Sequence, residues 1–379
     1  MKISDLPGDL QSEILARVPA KSLSKSQTTC KRWYALFRDE SFIRKNQKLG
    51  KSVRESMLLS SYRVYSNGED LHGLYNTGVD PSIEFSGKLS SLKKDPKQDM
   101  KISQIFHCDG LMLCSTEGNN RLVIWNPCTG QTREIKPKTC YRSGDTYALG
   151  YANDGKSCRS YKILRCSYDK KDESVMIAEF EMYDLSTGSW RVLYNFTRDY
   201  GIFCDGKSLK GNAFWVCGDK ETGLFLMKFD FTTEKFVRLS LPFQSFNPED
   251  TAVLSVVKDE KLSVCHQNIL EFSNVMRIWV TNKVDEADKD LSWRSEFELV
   301  VDYDKFELDS VVNVSSFLLD EENKVAVCCD IDADEYHRNC STRIYIVGED
   351  MYKQVYSTKC SSSSWRPILL TYVPSLVHI

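Results

Sequence analysis

The chain has 379 residues, 41% of them hydrophobic, with 50 Lys/Arg against 53 Asp/Glu, enough for a small module plus one large domain. No run approaches the ~20 apolar residues of a membrane-spanning helix, and Met1-Lys2-Ile3-Ser4-Asp5-Leu6-Pro7 lacks an apolar signal run. The net charge of −3 hides an asymmetry: residues 1–54 hold 12 basic against 5 acidic side chains (+7), and the remainder 38 against 48 (−10).

The N-terminal segment reads as short helices. Ser4 or Asp5 can cap the first, and Pro7 suits its first turn. Leu10, Ile14, Leu15 and Val18 then recur on one face, and Pro19 stops the run. Ser22 is the expected cap of a second helix. Leu23, Cys30, Trp33, Ala35, Leu36 and Phe37 supply apolar material, Asp39 and Ser41 mark a break, and Phe42 and Ile43 begin a last short helix. So small a unit rarely buries enough surface to stand alone. Its apolar surface is expected to meet either the body of the chain or another protein.

The run Leu6-Pro7-Gly8-Asp9-Leu10…Glu13-Ile14-Leu15-Ala16-Arg17-Val18-Pro19-Ala20-Lys21-Ser22-Leu23…Cys30-Lys31-Arg32-Trp33…Leu36…Asp39…Phe42 resembles the F-box of plant F-box proteins over residues 3–47. That resemblance implies binding to a small Skp-family adaptor (ASK in plants) and, through it, to a cullin. It assigns Leu6, Pro7, Leu10, Ile14, Leu15, Val18, Pro19, Leu23, Cys30 and Trp33 to adaptor-facing and core positions, with Cys30 and Trp33 expected as plain core. Ser26 stands where the family has an apolar residue and Gln27 where it has Arg. A second reading therefore stays open, a propeller interaction protein with a degenerate F-box uncoupled from ubiquitination.

From about residue 56, short Val/Ile/Leu/Phe/Tyr/Trp runs alternate with Gly/Asp/Asn/Ser/Thr clusters, the signature of strands and turns. A weak repeat recurs at Leu122-Val123-Ile124-Trp125-Asn126-Pro127-Cys128-Thr129-Gly130, at Phe180-Glu181-Met182-Tyr183-Asp184-Leu185-Ser186-Thr187-Gly188, and at Phe225-Leu226-Met227-Lys228-Phe229-Asp230-Phe231-Thr232-Thr233-Glu234. Asn126, Asp184 and Asp230 lie 58 and 46 residues apart. Hairpins at about this spacing predict four-stranded propeller blades, with looser units over 253–280 and 317–347. Residues 56–65 are expected to share a blade with Trp365–Val373, and a two-sheet β-sandwich is the alternative. This body is similar to the plant F-box-associated domain, itself Kelch-like, through 123–130, Ser208-Leu209-Lys210-Gly211-Asn212-Ala213-Phe214-Trp215, 278–283, 346–350 and the ending Tyr372-Val373-Pro374-Ser375-Leu376. The likeness implies recruitment of a target protein without naming it.

The expected fold is thus α+β and mainly β: a helical F-box at 1–50 and an antiparallel β-propeller-like domain at 56–379. The expected function is that of a non-catalytic substrate receptor in an SCF-type ubiquitin ligase, with no cofactor, metal, nucleic-acid or membrane partner. Fourteen scattered cysteines without Cys-x-x-Cys argue against zinc ribbons and thioredoxin-type sites. They suit reduced thiols in the cytoplasm or nucleus, where the sequons at Asn195, Asn313 and Asn339 are chance matches. Two matches to the phosphate-cradling pattern, Gly150–Ser157 and Gly201–Ser208, precede strand-like rather than helical sequence and read as turns. The five histidines form no ligand spacing, no Gly-x-Ser-x-Gly elbow occurs, and the acidic run Asp330–Glu335 reads as a solvated loop. A nucleic-acid role for the basic head is disfavoured because no stacking aromatics interleave its charges.

Overall fold

The computed structural model describes residues 3, 6–50, 53–67, 71, 86–88, 100–119, 121–138, 140–142, 144–153, 159–172, 175–197, 200–202, 204–247, 249–268, 274–284, 291–308, 312–333, 340–360 and 366–379. Four short helices come first: α1 (Gly8–Leu15), α2 (Ala20–Ser26), α3 (Lys31–Leu36) and α4 (Glu40–Leu49). Pro7 and Pro19 stand immediately before α1 and α2. Their fixed φ suits helix entry and their missing N–H costs nothing there. Two sequence expectations need correction. Helix α1 ends at Leu15, three residues before Val18, so Pro19 opens α2 rather than stopping α1. Ser22 therefore lies inside α2 instead of capping it, and Ser4 and Asp5 lie outside the described residues. The break expected at Asp39 and Ser41 is a helix start: Asp39 caps α4, its carboxylate accepting the Phe42 N–H at 3.0 Å, and the helix begins at Glu40, two residues before the expected Phe42.

The body is a six-bladed antiparallel propeller. Blade one holds β1 (Glu55–Ser60), β2 (Arg63–Ser66) and β3 (Ser86–Lys88); blade two holds β4 (Ile102–Cys108), β5 (Leu111–Thr116), β6 (Leu122–Asn126) and β7 (Gln131–Ile135). Blade three runs β8 (Thr146–Asn153), β9 (Arg159–Asp172), β10 (Val175–Asp184) and β11 (Ser189–Thr197). Blade four runs β12 (Gly201–Ile202), β13 (Lys207–Leu209), β14 (Asn212–Asp219), β15 (Gly223–Asp230) and β16 (Lys235–Leu239). Blade five runs β17 (Thr251–Val257), β18 (Lys261–Gln267), β19 (Val275–Thr281) and β20 (Trp293–Asp302). Blade six runs β21 (Ser316–Asp320), β22 (Val325–Ala333), β23 (Cys340–Gly348) and β24 (Met351–Lys359). The last strand, β25 (Ile368–Tyr372), returns to pair antiparallel with β1, Met57 opposite Leu370. Closure by the C-terminal strand is the shared blade expected from residues 56–65. One strand from each blade, β4, β8, β13, β17, β21 and β25, contacts the next in succession around the axis, an arrangement two face-to-face sheets do not give, so the sandwich alternative falls.

The repeat read from the sequence is the hairpin joining the last two strands of blades two, three and four. In each, one side-chain oxygen gathers two turn amides. Asn126 accepts from Cys128 and Thr129, Asp184 from Ser186 and Thr187, and Asp230 from Thr232 and Thr233, at 2.8–3.3 Å.

The phosphate-loop look-alikes have packing explanations. Strand β8 pairs antiparallel with β9, Asn153 opposite Arg159, so the described residues after this match form a strand and not the helix whose amides would face an anion. A Cβ on Gly150 would stand 2.3 Å from the Phe231 ring, so glycine at this position lets blade four close against blade three. In the second match, Gly206 similarly yields to Trp215. Residues 154–157 and Phe203 lie outside the described residues.

The acidic run corrects a further expectation. Asp330 is fully buried on β22 and its carboxylate takes two hydrogen bonds from Arg343 at 3.0 and 2.8 Å. Burial pushes this carboxyl up while the guanidinium pulls it back. The first part of the run is therefore an internal ion pair rather than a solvated loop, and Asp334 and Glu335 lie outside the described residues. The expectation of reduced thiols is corrected at one pair. The β23–β24 register sets Cys340 opposite Cys360 with Cα atoms 5.4 Å apart, within bridging range, and the two form a disulfide.

Head and body share one core. Leu15, Leu23, Phe37, Phe42 and Ile43 belong to the same buried cluster as Leu111 and Ile124 of blade two, Leu149 of blade three and Leu376 and Val377 of the C-terminal tail. The helices thus seat on the end of the propeller that carries the β4–β5 and β6–β7 turns of blade two.

Candidate adaptor-docking face

Helix α1 carries two apolar stripes. One points inward: Leu15 is 4% exposed, and buried Gln11 donates to the Leu6 carbonyl at 2.8 Å. The other points outward: Leu10 and Ile14, one helical turn apart, are 48% and 42% exposed, and Pro7 is exposed at the start. An amphipathic helix in a lone domain presents one apolar stripe to its core. A second, uncovered stripe of branched aliphatic side chains is surface suited to a partner. The first turn of α1 abuts α3, since a Cβ on Gly8 would meet the Arg32 guanidinium at 2.4 Å. Exposed Cys30, Lys31 and Arg32 therefore flank the stripe.

The ten positions assigned by resemblance separate by burial. Pro7, Leu10, Ile14 and Cys30 are exposed; Leu6, Val18, Pro19 and Trp33 are half-buried; Leu15 and Leu23 are buried. Leu15 and Leu23 take core positions, in the cluster that head and body share. One expectation is corrected. Cys30, expected in the core, stands exposed as the residue capping α3, its sulfur 3.5 Å from the Trp33 amide. Ser26 is half-buried and hydrogen-bonds the Ser22 carbonyl at 3.0 Å, which satisfies its hydroxyl within α2.

Charge around the stripe is organised by Glu13. It pairs with Lys45 and, at 2.7 Å, with Arg17, and these cations hold its carboxyl below the usual range, Lys45 foremost. The chemistry of this face is shape, apolar area and charge. Among the described residues no group of three His/Cys/Asp/Glu side chains could hold a metal ion, and no helix is long and apolar enough to cross a membrane.

Several residues that fix the head to the body were not anticipated from the sequence. Buried Asn46 of α4 donates to the carbonyls of Ala16 and Val18 at 3.0 and 2.8 Å, tying the last helix to the end of the first. Ser24 donates to the Cys128 carbonyl at 2.6 Å, and Lys21 pairs with the buried Glu55 carboxylate. Asn126 donates to the Ser375 and Val377 carbonyls at 3.0 and 2.7 Å, which holds the tail under the helices. A signal for Asn126 was present: it is Asn where the other two repeat copies have Asp.

Comparison with known proteins agrees with this division. A model of the F-box domain matches residues 3–45, and one of the F-box associated beta propeller domain matches residues 55–379. The chain belongs to the F-box proteins that carry an F-box-associated β-propeller. Among the relatives of this F-box protein, the F-box/kelch-repeat protein At3g17540 of Arabidopsis thaliana is 60% identical over 382 residues, an alignment covering 100% of this chain and 94% of that protein. At3g17530, an F-box/kelch-repeat protein of the same plant, is 58% identical over 383 residues, covering 100% and 96%.

Proposed function

We propose that this F-box protein is a substrate receptor of an SCF-type ubiquitin ligase. Residues 1–50 dock a Skp-family adaptor and through it a cullin, and residues 56–379 hold a target protein. The observation that supports this most is the second apolar stripe of α1: Pro7, Leu10 and Ile14 face away from a head whose other side is already committed to the propeller. The chain supplies no chemistry of its own in this reading. It raises the effective concentration of a target lysine near a ubiquitin-loaded enzyme held elsewhere on the scaffold.

Target binding is assigned to the propeller end opposite the head, built from the inter-blade loops. Phe246, in the loop between β16 and β17, is 60% exposed there, and an aromatic ring so placed is the kind of side chain that anchors interfaces. The test is reconstitution of the full chain with a Skp-family adaptor. The expected result is a stable complex weakened at least about tenfold by Leu10→Asp with Ile14→Asp. Adaptor binding insensitive to both changes would refute the assignment.

A further inference from the structure

Between head and propeller lies a cleft of about 470 Å³ that adaptor docking leaves unexplained. Its size is within the range of small-molecule sites, about 300–1,000 Å³. One wall comes from the head: Arg38 at the end of α3, and Arg44 and Gln47 of α4. The facing wall comes from the propeller and the tail: Gln131, Arg159 and His378. Three guanidiniums and two primary amides converge here, and Glu40 is the carboxylate of the lining.

The charges are not equally committed. Arg159 is engaged by Asp109 at 2.5 Å and donates to Gln47 at 3.3 Å. Arg44 donates to the Glu40 backbone carbonyl at 3.2 Å through its Nε, and its charge also acts on Asp39. Arg38 lies with its guanidinium 3.5 Å over the Tyr34 ring, and one of its terminal nitrogens is shut off from solvent with no hydrogen-bond acceptor. Burial takes that nitrogen out of reach of the cleft, which the Arg38 side chain lines with its other atoms. The His378 imidazole is held by the Gln131 side-chain oxygen, 3.1 Å from its Nδ1, and by a hydrogen bond to the Phe37 backbone, and burial pushes its pKa down.

We propose that this cleft binds a small, multiply charged anion of the phosphate-ester class, held by Arg38 and Arg44 from the head and faced by Arg159 from the propeller. Guanidinium forks match phosphate oxygens in pairs. A ligand in this place touches both units at once, so it ties the adaptor-docking helices to the target-binding body. The assignment stands on the cleft alone and is independent of whether the head binds an adaptor.

The experiment is a titration of the full chain with pyrophosphate at constant ionic strength, followed by calorimetry and by thermal unfolding. The expected result is saturable binding with a rise in unfolding temperature, weakened at least about tenfold in Arg38→Gln/Arg44→Gln and unchanged in Lys283→Gln, a surface lysine paired with Glu260 in blade five. If the double variant does not fold, Arg38→Lys and Arg44→Lys keep the charge but lose the fork, and a several-fold weakening is expected of each. Absence of saturable binding at millimolar pyrophosphate, or equal affinity in the arginine and Lys283 variants, overturns the proposal.

Discussion

Asn126 and Val377 are joined by a hydrogen bond of 2.7 Å in which the side-chain amide donates to a buried backbone carbonyl. The same amide nitrogen donates to Ser375, and the same residue's oxygen caps the turn at Cys128 and Thr129. One fully buried side chain thus serves the blade-two hairpin with its acceptor and the C-terminal tail with its donor. Asp184 and Asp230, at the equivalent turns, need only the acceptor.

Asn126→Asp therefore keeps the turn and destroys the tail latch, because a carboxylate cannot donate to two carbonyls. Destabilisation by about 3 kcal/mol is expected in urea unfolding of the full chain, against at most about 0.5 kcal/mol for Asp184→Asn at an exposed turn. Equal costs at the two positions would show that the tail contact contributes nothing.

Asp39 caps α4, and its hydrogen bonds to the Ser41 hydroxyl and the Phe42 amide hold its carboxyl below the usual 3.8. A carboxylate with a depressed folded-state pKa stabilises the fold above its unfolded pKa and loses that contribution as pH falls through the folded value. Asp39→Ala should cost about 1 kcal/mol at neutral pH, a difference that shrinks below about pH 4. Unfolding midpoints of the two proteins between neutral pH and pH 3 measure this.

His107 lines a small cavity with Lys207 and Asp259. Its Nε2 accepts the Gly110 amide at 3.1 Å, and burial pushes its pKa down to about 4 from 6.5. A base with a depressed folded pKa is bound by fewer protons folded than unfolded in that window. Stability is full above about pH 6.5 and falls as pH drops towards about 4, by at most about 1.4 kcal/mol per pH unit. His107→Gln keeps an acceptor for Gly110 and should flatten this slope. Part of the slope remains, since burial lowers the His378 pKa in the same direction.

Cys30 offers a footprint of the docking face. It is exposed beside α1, whereas Cys108, Cys114 and Cys265 are buried and their thiols are pushed up by desolvation. Cys140 is exposed too, but in the loop between β7 and β8, at the end of the propeller away from the head. Both should alkylate readily in the free chain. A Skp-family adaptor should protect Cys30 and leave Cys140 untouched, and peptide-resolved alkylation reads both at once.

Much of this architecture was legible in the sequence because it is local. Period-two alternation marked the strands, and Asn126, Asp184 and Asp230, each with a Thr three residues on, marked three hairpins that bond as their spacing suggested. What was not legible depends on distant partners. Nothing near Asn46 announces that it bonds the carbonyls of Ala16 and Val18, 30 and 28 residues away. Asp330 reads as solvated beside Asp332, Asp334 and Glu335 until β23 brings Arg343 across from it. On the candidate face, helical spacing grouped Leu10, Ile14 and Leu15, yet only packing against the propeller decides that Leu15 turns inward and the other two outward. Pro19 was ambiguous for a related reason, since a proline ends one helix and begins another with the same φ.

The most direct test of the receptor account is the affinity of the full chain for a Skp-family adaptor, measured for the parent, for Leu10→Asp/Ile14→Asp, and for Phe246→Ala. The account requires tight binding by the parent, loss of at least about tenfold in the α1 variant, and no change in the Phe246 variant, whose side chain lies at the far end of the propeller. Binding indifferent to the α1 stripe, or lost on changing Phe246, would contradict it.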